Sequence, residues 1–129
     1  MKSKSEEKCR AIMQRLLKVY LSSSHPSWLI NPETDSQLEL DGYNAWFKTP
    51  IGKGLAFEYD GRQHTEFVPN MHRTILDFEK QVRRDRAKDY ICLSRQVLLI
   101  RIPHVERRSD ERLEADIKVI LRNHNLLLG

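Results

Sequence analysis

Two carboxylates, Glu58 and Asp60, stand two residues apart in the segment Leu55-Ala56-Phe57-Glu58-Tyr59-Asp60. Side chains alternate along a strand, which sends both acids to one side and Phe57 and Tyr59 to the other. About 7 Å apart on one face, two carboxylates repel each other. A divalent cation between them relieves the repulsion, and Mg²⁺ or Mn²⁺ prefers such hard oxygen ligands. Asp41 ends the alternating run Leu38-Glu39-Leu40-Asp41, just before Gly42, and can supply a further oxygen. Phosphodiester chemistry needs this arrangement, because a bound metal activates water and offsets charge growing on the phosphate oxygens. An arbitrary E-x-D is more often the wet end of an edge strand. The run Asp60-Gly61-Arg62-Gln63-His64 weighs against that here, since it sets a glycine turn, an amide and an imidazole directly after the acids. His64 suits a general acid or base, or a contact to the metal through water, and Gln63 can hold the nucleophilic water.

These residues need elements to carry them. From about Ser5 to Leu21, Cys9, Ile12, Met13, Leu16, Leu17 and Tyr20 recur at helical spacing, with Lys and Arg on the opposite face. Ser22-Ser23-Ser24-His25-Pro26 ends that helix, and Asn31 to Ser36 reads as a turn-rich loop. A short strand stops at Gly42. A second, Leu55 to Asp60, comes after a segment holding Pro50, Gly52 and Gly54. After a loop with Pro69, the pattern from about Arg73 to Leu93 is helical and dense in charge. Val97-Leu98-Leu99-Ile100-Arg101-Ile102 is the most apolar strand, short and continuous as an interior strand would be, and Pro103 closes it. Ser109 caps a last helix over about 109–125, with Asp110 and Glu111 in its first turn and Leu113, Ile117, Ile120 and Leu121 on its inner face. The order is α-β-β-α-β-α. The expected fold class is α/β (α+β), one domain over 1–129 with a small mixed sheet flanked by helices.

Composition bounds the rest. The 129 residues are 40% hydrophobic and 31% charged, enough for a core and too short for two. The net charge of +4 suits a polyanionic partner without proving one. Cys9 and Cys92 are far apart and in no CxxC pair, which argues against a structural zinc or disulfide framework and for a reducing compartment. The longest apolar run, Val97 to Ile100, is far too short to span a membrane, and the charged start lacks the apolar stretch of a secretory signal. A soluble, intracellular, non-secreted protein is expected.

The stretches Leu38-Glu39-Leu40-Asp41-Gly42-Tyr43-Asn44 and Leu55 to His64 resemble nucleases of the PD-(D/E)XK, or restriction-endonuclease-like, superfamily. The branch they are most similar to is that of the very-short-patch repair endonucleases, which has small members in large DNA viruses. The likeness extends through Trp28-Leu29-x-Asn31-Pro32, Phe78-x-Lys80-Gln81-x-x-Arg84-Asp85-x-x-Lys88-x-x-x-Cys92 and Leu98 to Pro103, so it covers about 3–103. It implies a metal-dependent endonuclease acting on nucleic acid, DNA before RNA, in the cytoplasm or nucleus of an infected cell, with a homodimer admissible. Asp41 then corresponds to the first metal-binding Asp, although Leu40 stands where the family name has Pro. Glu58 corresponds to the second acid. Asp60 stands where the catalytic Lys usually is, a departure shared with that branch, and the role of a positive charge is left unassigned.

Two more segments complete the expected site. Glu6 lies three residues before Cys9 and seven before Met13, on the buried face of the first helix. Ser3-Lys4-Ser5-Glu6 resembles the S-x-G-E whose glutamate reaches the metal in related nucleases, and a glutamate in a fraying first turn is an equal alternative. Gln81, Asp85, Lys88 and Cys92 share one helix face. The family pattern favours that face overlooking the acids, with Lys88 as the missing cation, over a solvated Asp85–Lys88 pair.

Lys80, Arg83, Arg84, Arg86 and Arg101 are the expected nucleic-acid-binding residues, although a charge run is usually a solvated face. Tyr43, Trp46 and Phe47 form an aromatic group expected in a loop. They suit a wedge into nucleic acid at the site's mouth, or more often packing against the domain itself. A catalytically inactive nuclease-fold module that binds nucleic acid or a protein partner is the alternative. A ββα-metal site from His64, Asn70 and His72 is set aside, because those residues are too close together and Pro69 interrupts them.

Overall fold

The computed structural model describes residues 3–61 and 74–128. Its helices are α1 (Lys4–Leu17), α2 (Ile75–Ser94) and α3 (Asp110–Asn123). Each begins on a hydroxyl: Ser3 Oγ accepts from the N–H of Glu6 at 3.0 Å, Thr74 Oγ1 from Asp77 at 3.1 Å, and Ser109 Oγ from Arg112 at 3.1 Å. A cap of this kind contributes about 1 kcal/mol. The first helix stops earlier than its periodicity predicts. Lys18 turns left-handed (φ 53°), and the N–H of Val19 bonds back to the Gln14 carbonyl at 3.3 Å. Tyr20, expected on the apolar stripe, is therefore exposed, whereas Leu21 is buried beyond the helix.

The strands β1 (Ser22–Ser24), β2 (Leu40–Thr49), β3 (Gly52–Asp60) and β4 (Leu98–Pro103) form one sheet in that order. β1–β2 and β2–β3 are antiparallel and β3–β4 is parallel. The protein is thus a mixed α+β fold, as expected, in the order α-β-β-β-α-β-α. The additional strand, β1, is three serines, which carry no apolar alternation and read in sequence as a helix end. β2 does not stop at Gly42 but runs through it. A Cβ there would lie 2.2 Å from Phe57 Cε1, so the glycine admits the ring and does not break the strand. Tyr43, Trp46 and Phe47 are consequently strand residues. Among the described residues β4 has a strand partner on one side only, an edge position in the sheet where its apolar sequence suggests an interior one. Its apolar character comes from helices over both faces.

Those faces carry two hydrophobic clusters. Cys9 and Met13 of α1 and Leu113, Ile117 and Leu121 of α3 pack with Leu55, Phe57, Ile100 and Ile102. On the opposite face Cys92 of α2 packs with Leu29, Leu38, Leu40, Ala56 and Val97. Both cysteines are free and buried. Burial pushes the Cys9 thiol up to about 12 and the Cys92 thiol to about 11. Among the described residues no helix is long and apolar enough to cross a membrane.

Candidate functional site

Alternation along β3 sends Leu55 and Phe57 into the α1–α3 cluster and Ala56 into the α2 cluster. Glu58, two residues past Ala56, therefore faces α2, and it is 2% exposed. The β2–β3 pairing includes Gly42 opposite Phe57, which brings Asp41 beside Glu58. There the carboxylates take over from the ladder. The N–H of Asp41 donates to Glu58 Oε2 at 2.8 Å, and the N–H of Tyr59 donates to Asp41 Oδ2 at 2.8 Å.

α2 supplies the cation. Lys88 Nζ donates to Glu58 Oε1 at 2.5 Å, with side chains only 13% and 3% exposed. Its position follows from the helical face: Cys92, four residues on, is buried in the α2 cluster and turns Lys88 toward β3.

α1 approaches from the other side. One Arg10 Nη donates to Glu6 Oε2 at 2.8 Å and to the Asp41 carbonyl at 2.6 Å. Its guanidinium lies 5.7 Å from the centre of the Phe57 ring, and its Nε is buried with no hydrogen-bond partner. Glu6 reaches Asp41 through this arginine. Helical spacing assigns Arg10 to the polar face, so only the structure identifies it as part of the site.

Asp60 shares the Glu58 face and meets Arg101 Nη1 at 2.7 Å. The same guanidinium donates to Asp89 Oδ1 at 2.8 Å and to the Asp85 carbonyl at 3.1 Å, tying β4 to α2 and β3. The sequence assigns Arg101 to the nucleic-acid surface. Its donors are instead committed inside the domain, because Glu58 and Arg101 are partners in the parallel register and the arginine rises beside the acids. Burial opposes its charge, and Asp60 and Asp89 more than offset this and raise its pKa. On the other face, Tyr59 Oη and His104 Nδ1 are 3.0 Å apart, and the His104 N–H holds the Asp60 carbonyl at 2.8 Å. His104 carries no sequence signal.

Electrostatically the centre is short of positive charge. Glu6, Asp41 and Glu58 face two cations, Arg10 and Lys88. Burial, and then the neighbouring charge of Glu58, push the Asp41 carboxyl up to about 7 against the pull of the Tyr59 N–H. Among the described residues no three His, Cys, Asp or Glu form a metal-holding group. Among the described residues the donor set at this site is the Asp41–Glu58 pair, whose Glu58 oxygens and Asp41 Oδ2 already accept from the Asp41 N–H, Lys88 and the Tyr59 N–H. Two carboxylates with a surplus of negative charge fit Mg²⁺, which is held by one or two carboxylates with waters and substrate phosphate completing its shell.

The structure thus joins Asp41, Glu58 and Lys88 directly, Glu6 through Arg10, and Asp60 through Arg101. Gln63 and His64 lie outside the described residues, as do Asn70 and His72. Lys80, Arg83, Arg84 and Arg86 are on α2, and Arg83 pairs with Glu33 at 3.0 Å. Tyr43 packs edge-on against Trp28 with centroids 5.8 Å apart, and Phe47 packs on the α1–α3 cluster. Trp46 is 74% exposed. It stands roughly 15 Å along β2 from Asp41, so it is not at the mouth of the site.

No family model matches the chain, and no solved structure matches it. It is similar to three viral proteins. Uncharacterized protein 033L of Invertebrate iridescent virus 3 is 32% identical over 108 residues, 84% of this chain and 53% of that protein. Uncharacterized protein 094L of Frog virus 3 (isolate Goorha) is 35% identical over 103 residues, 79% of this chain and 63% of that protein. Uncharacterized protein 307L of Invertebrate iridescent virus 6 is 33% identical over 88 residues, 64% of this chain and 42% of that protein. The chain therefore spans between about two fifths and just under two thirds of the length of these curated relatives.

Proposed function

We propose that this chain is a metal-dependent endonuclease of the PD-(D/E)XK type, hydrolysing phosphodiester bonds of nucleic acid, DNA in preference to RNA. The observation that carries this reading is the convergence of the Asp41 N–H and Lys88 Nζ on the two oxygens of the buried Glu58 carboxylate, at one end of β2 and β3. Asp41 and Glu58 are the proposed holders of Mg²⁺ or Mn²⁺, whose chemistry when bound is to lower the pKa of water and offset charge on the phosphate. Lys88 sets a fixed positive charge where the reacting phosphate gains negative charge, the role left open by Asp60 in the motif. Asp60 braces the end of β3 through Arg101, and Arg10 holds the Asp41 main chain. Gln63 and His64 keep the roles their sequence position suggests, orienting water and moving a proton. Lys80, Arg83, Arg84 and Arg86 are proposed to meet the phosphate backbone.

A second reading is a nuclease-fold module that holds nucleic acid or a protein without cutting it. In its favour, both Glu58 oxygens already have partners, the Asp41 N–H and Lys88. Cleavage of labelled duplex, single-stranded, mismatched and branched DNA and of RNA, in Mg²⁺, Mn²⁺ and EDTA, separates the two. Asp41→Asn and Glu58→Gln, verified as folded by thermal melts, run alongside. Metal-dependent cutting lost in both variants supports the enzyme. Binding without cutting in either metal overturns it.

A further inference from the structure

The far end of the β2–β3 hairpin carries a surface that the acidic site does not use. Residues 42–57 contain two lysines and no Asp or Glu, and residues 15–32 contain Arg15, Lys18 and His25 and no acid. Lys48 and Lys53 are direct partners across the antiparallel register. Like charges in that position destabilise a sheet. Among the described residues neither pairs with a carboxylate. Between Asn44 and Lys48 the register shifts, and Asn44 Oδ1 accepts the N–H groups of Trp46 at 2.9 Å and Phe47 at 3.0 Å. The Asn44 amide donates to the Tyr20 carbonyl at 3.0 Å, which fixes that segment beside the bulge. The outcome is two aromatics held in the open, Trp46 at 74% and Tyr20 at 73% exposure, with Lys53 Nζ 4.5 Å from the centre of the Trp46 ring.

Scattered surface aromatics are ordinary. Two of them, their main chains pinned by one asparagine in segments that hold lysines and no acid, make a defined pattern. Aromatic faces that stack bases, beside cations that meet the backbone, are how single-stranded nucleic acid is bound without sequence preference. We propose that Trp46, Tyr20, Lys48 and Lys53 bind unpaired stretches of nucleic acid, with bases stacking on the indole and phosphates lying against the two lysines. The unfavourable Lys48–Lys53 pair is neutralised by the bound strand. The inference concerns binding alone and holds whether or not the acidic site cuts. It names single-stranded or locally unpaired nucleic acid as the partner.

The test uses the full chain in EDTA, where no metal-dependent cutting occurs, and the anisotropy of a labelled oligothymidylate and of a fully paired duplex of equal length. The wild type binds the single strand more tightly than the duplex, and the oligothymidylate quenches tryptophan emission. Trp46→Ala weakens single-strand binding about tenfold, the usual effect of losing one stacking aromatic. Lys48→Ser with Lys53→Ser lowers the slope of log K against log salt by about 1.4. Equal single-strand affinity for wild type and Trp46→Ala overturns the proposal, as does a duplex preference. So does binding to phosphatidylserine vesicles that oligothymidylate cannot displace. Trp46→Leu, which keeps bulk without a flat ring, must weaken binding too, so a general loss of fold cannot imitate the result. Binding that survives with no cutting in Mg²⁺ refutes the enzyme reading and leaves this surface standing.

Discussion

Asp41 and Glu58 each close the other's strand: the N–H of Asp41 donates to the Glu58 carboxylate, and the Asp41 carboxylate accepts from the N–H of the residue after Glu58. Two side chains thereby replace the ladder bonds at the end of β2 and β3. The exchange holds two like charges together in a half-buried place, and most of the site's measurable behaviour stems from that tension.

The first consequence is a pH dependence. The Asp41 carboxyl is raised from 3.8 to about 7, by burial first and by Glu58 next. Between those values the folded protein keeps a proton that the unfolded chain has released. Stability contributed by this group therefore falls as pH rises through the window and is flat above it. Asp41→Asn keeps an acceptor for Tyr59 and removes the titration. The difference in urea midpoint between wild type and Asp41→Asn should drift against the wild type from about pH 4 to about pH 7. A flat difference would refute the raised carboxyl.

Magnesium should act on the same charge. At about pH 8 and a hundredfold over its dissociation constant, a ligand specific to the folded state adds about 2.7 kcal/mol. Thermal melts should show wild type stabilised by Mg²⁺ and returned to baseline by EDTA. Asp41→Asn and Glu58→Gln should not respond. Equal responses in all three would place the cation elsewhere.

Removing Lys88 strands a buried carboxylate. Lys88→Met leaves Glu58, whose side chain is 3% exposed, without its cation. Breaking a buried pair from one side costs about 3–5 kcal/mol. Adding Glu58→Gln to Lys88→Met should recover much of that loss in a urea denaturation series. Losses that merely add would show that the two groups are not coupled.

Gly42→Ala tests the packing beneath the acids. Its Cβ would meet Phe57 Cε1 at 2.2 Å and Cδ1 at 2.5 Å, and Phe57 is fully buried. Overpacking of this kind costs about 1–3 kcal/mol. The melting temperature should fall. Phe57→Leu in the same chain should restore part of it, because the smaller side chain gives the methyl room.

Much of this is legible in the sequence because each signal is local. Helical spacing in α3 and in α1 as far as Leu17, the Glu58–Asp60 alternation and the Lys88–Cys92 face all depend on near neighbours, and they hold, whereas Tyr20 falls beyond the end of α1. The features that escape depend on partners distant in sequence. Gly42 resembles a strand end until Phe57 is seen above it. The serines of β1 form a strand only because β2 is beside them. Arg10 belongs to a helix whose other basic residues face water, and nothing in its spacing announces the Asp41 carbonyl. Arg101 reads as surface charge because its acids, Asp60 and Asp89, come from two other elements.

The two cysteines divide the molecule in a useful way. Cys9 lies under the α1–α3 layer and Cys92 under α2, on opposite faces of the sheet, and burial keeps both thiols protonated. A thiol reagent can reach either one only when its own layer lifts. The labelling rates of Cys9 and Cys92 are therefore two separate clocks built into the chain. One times the opening of the helix that carries Lys88, and the other times the opening of the helix that carries Arg10.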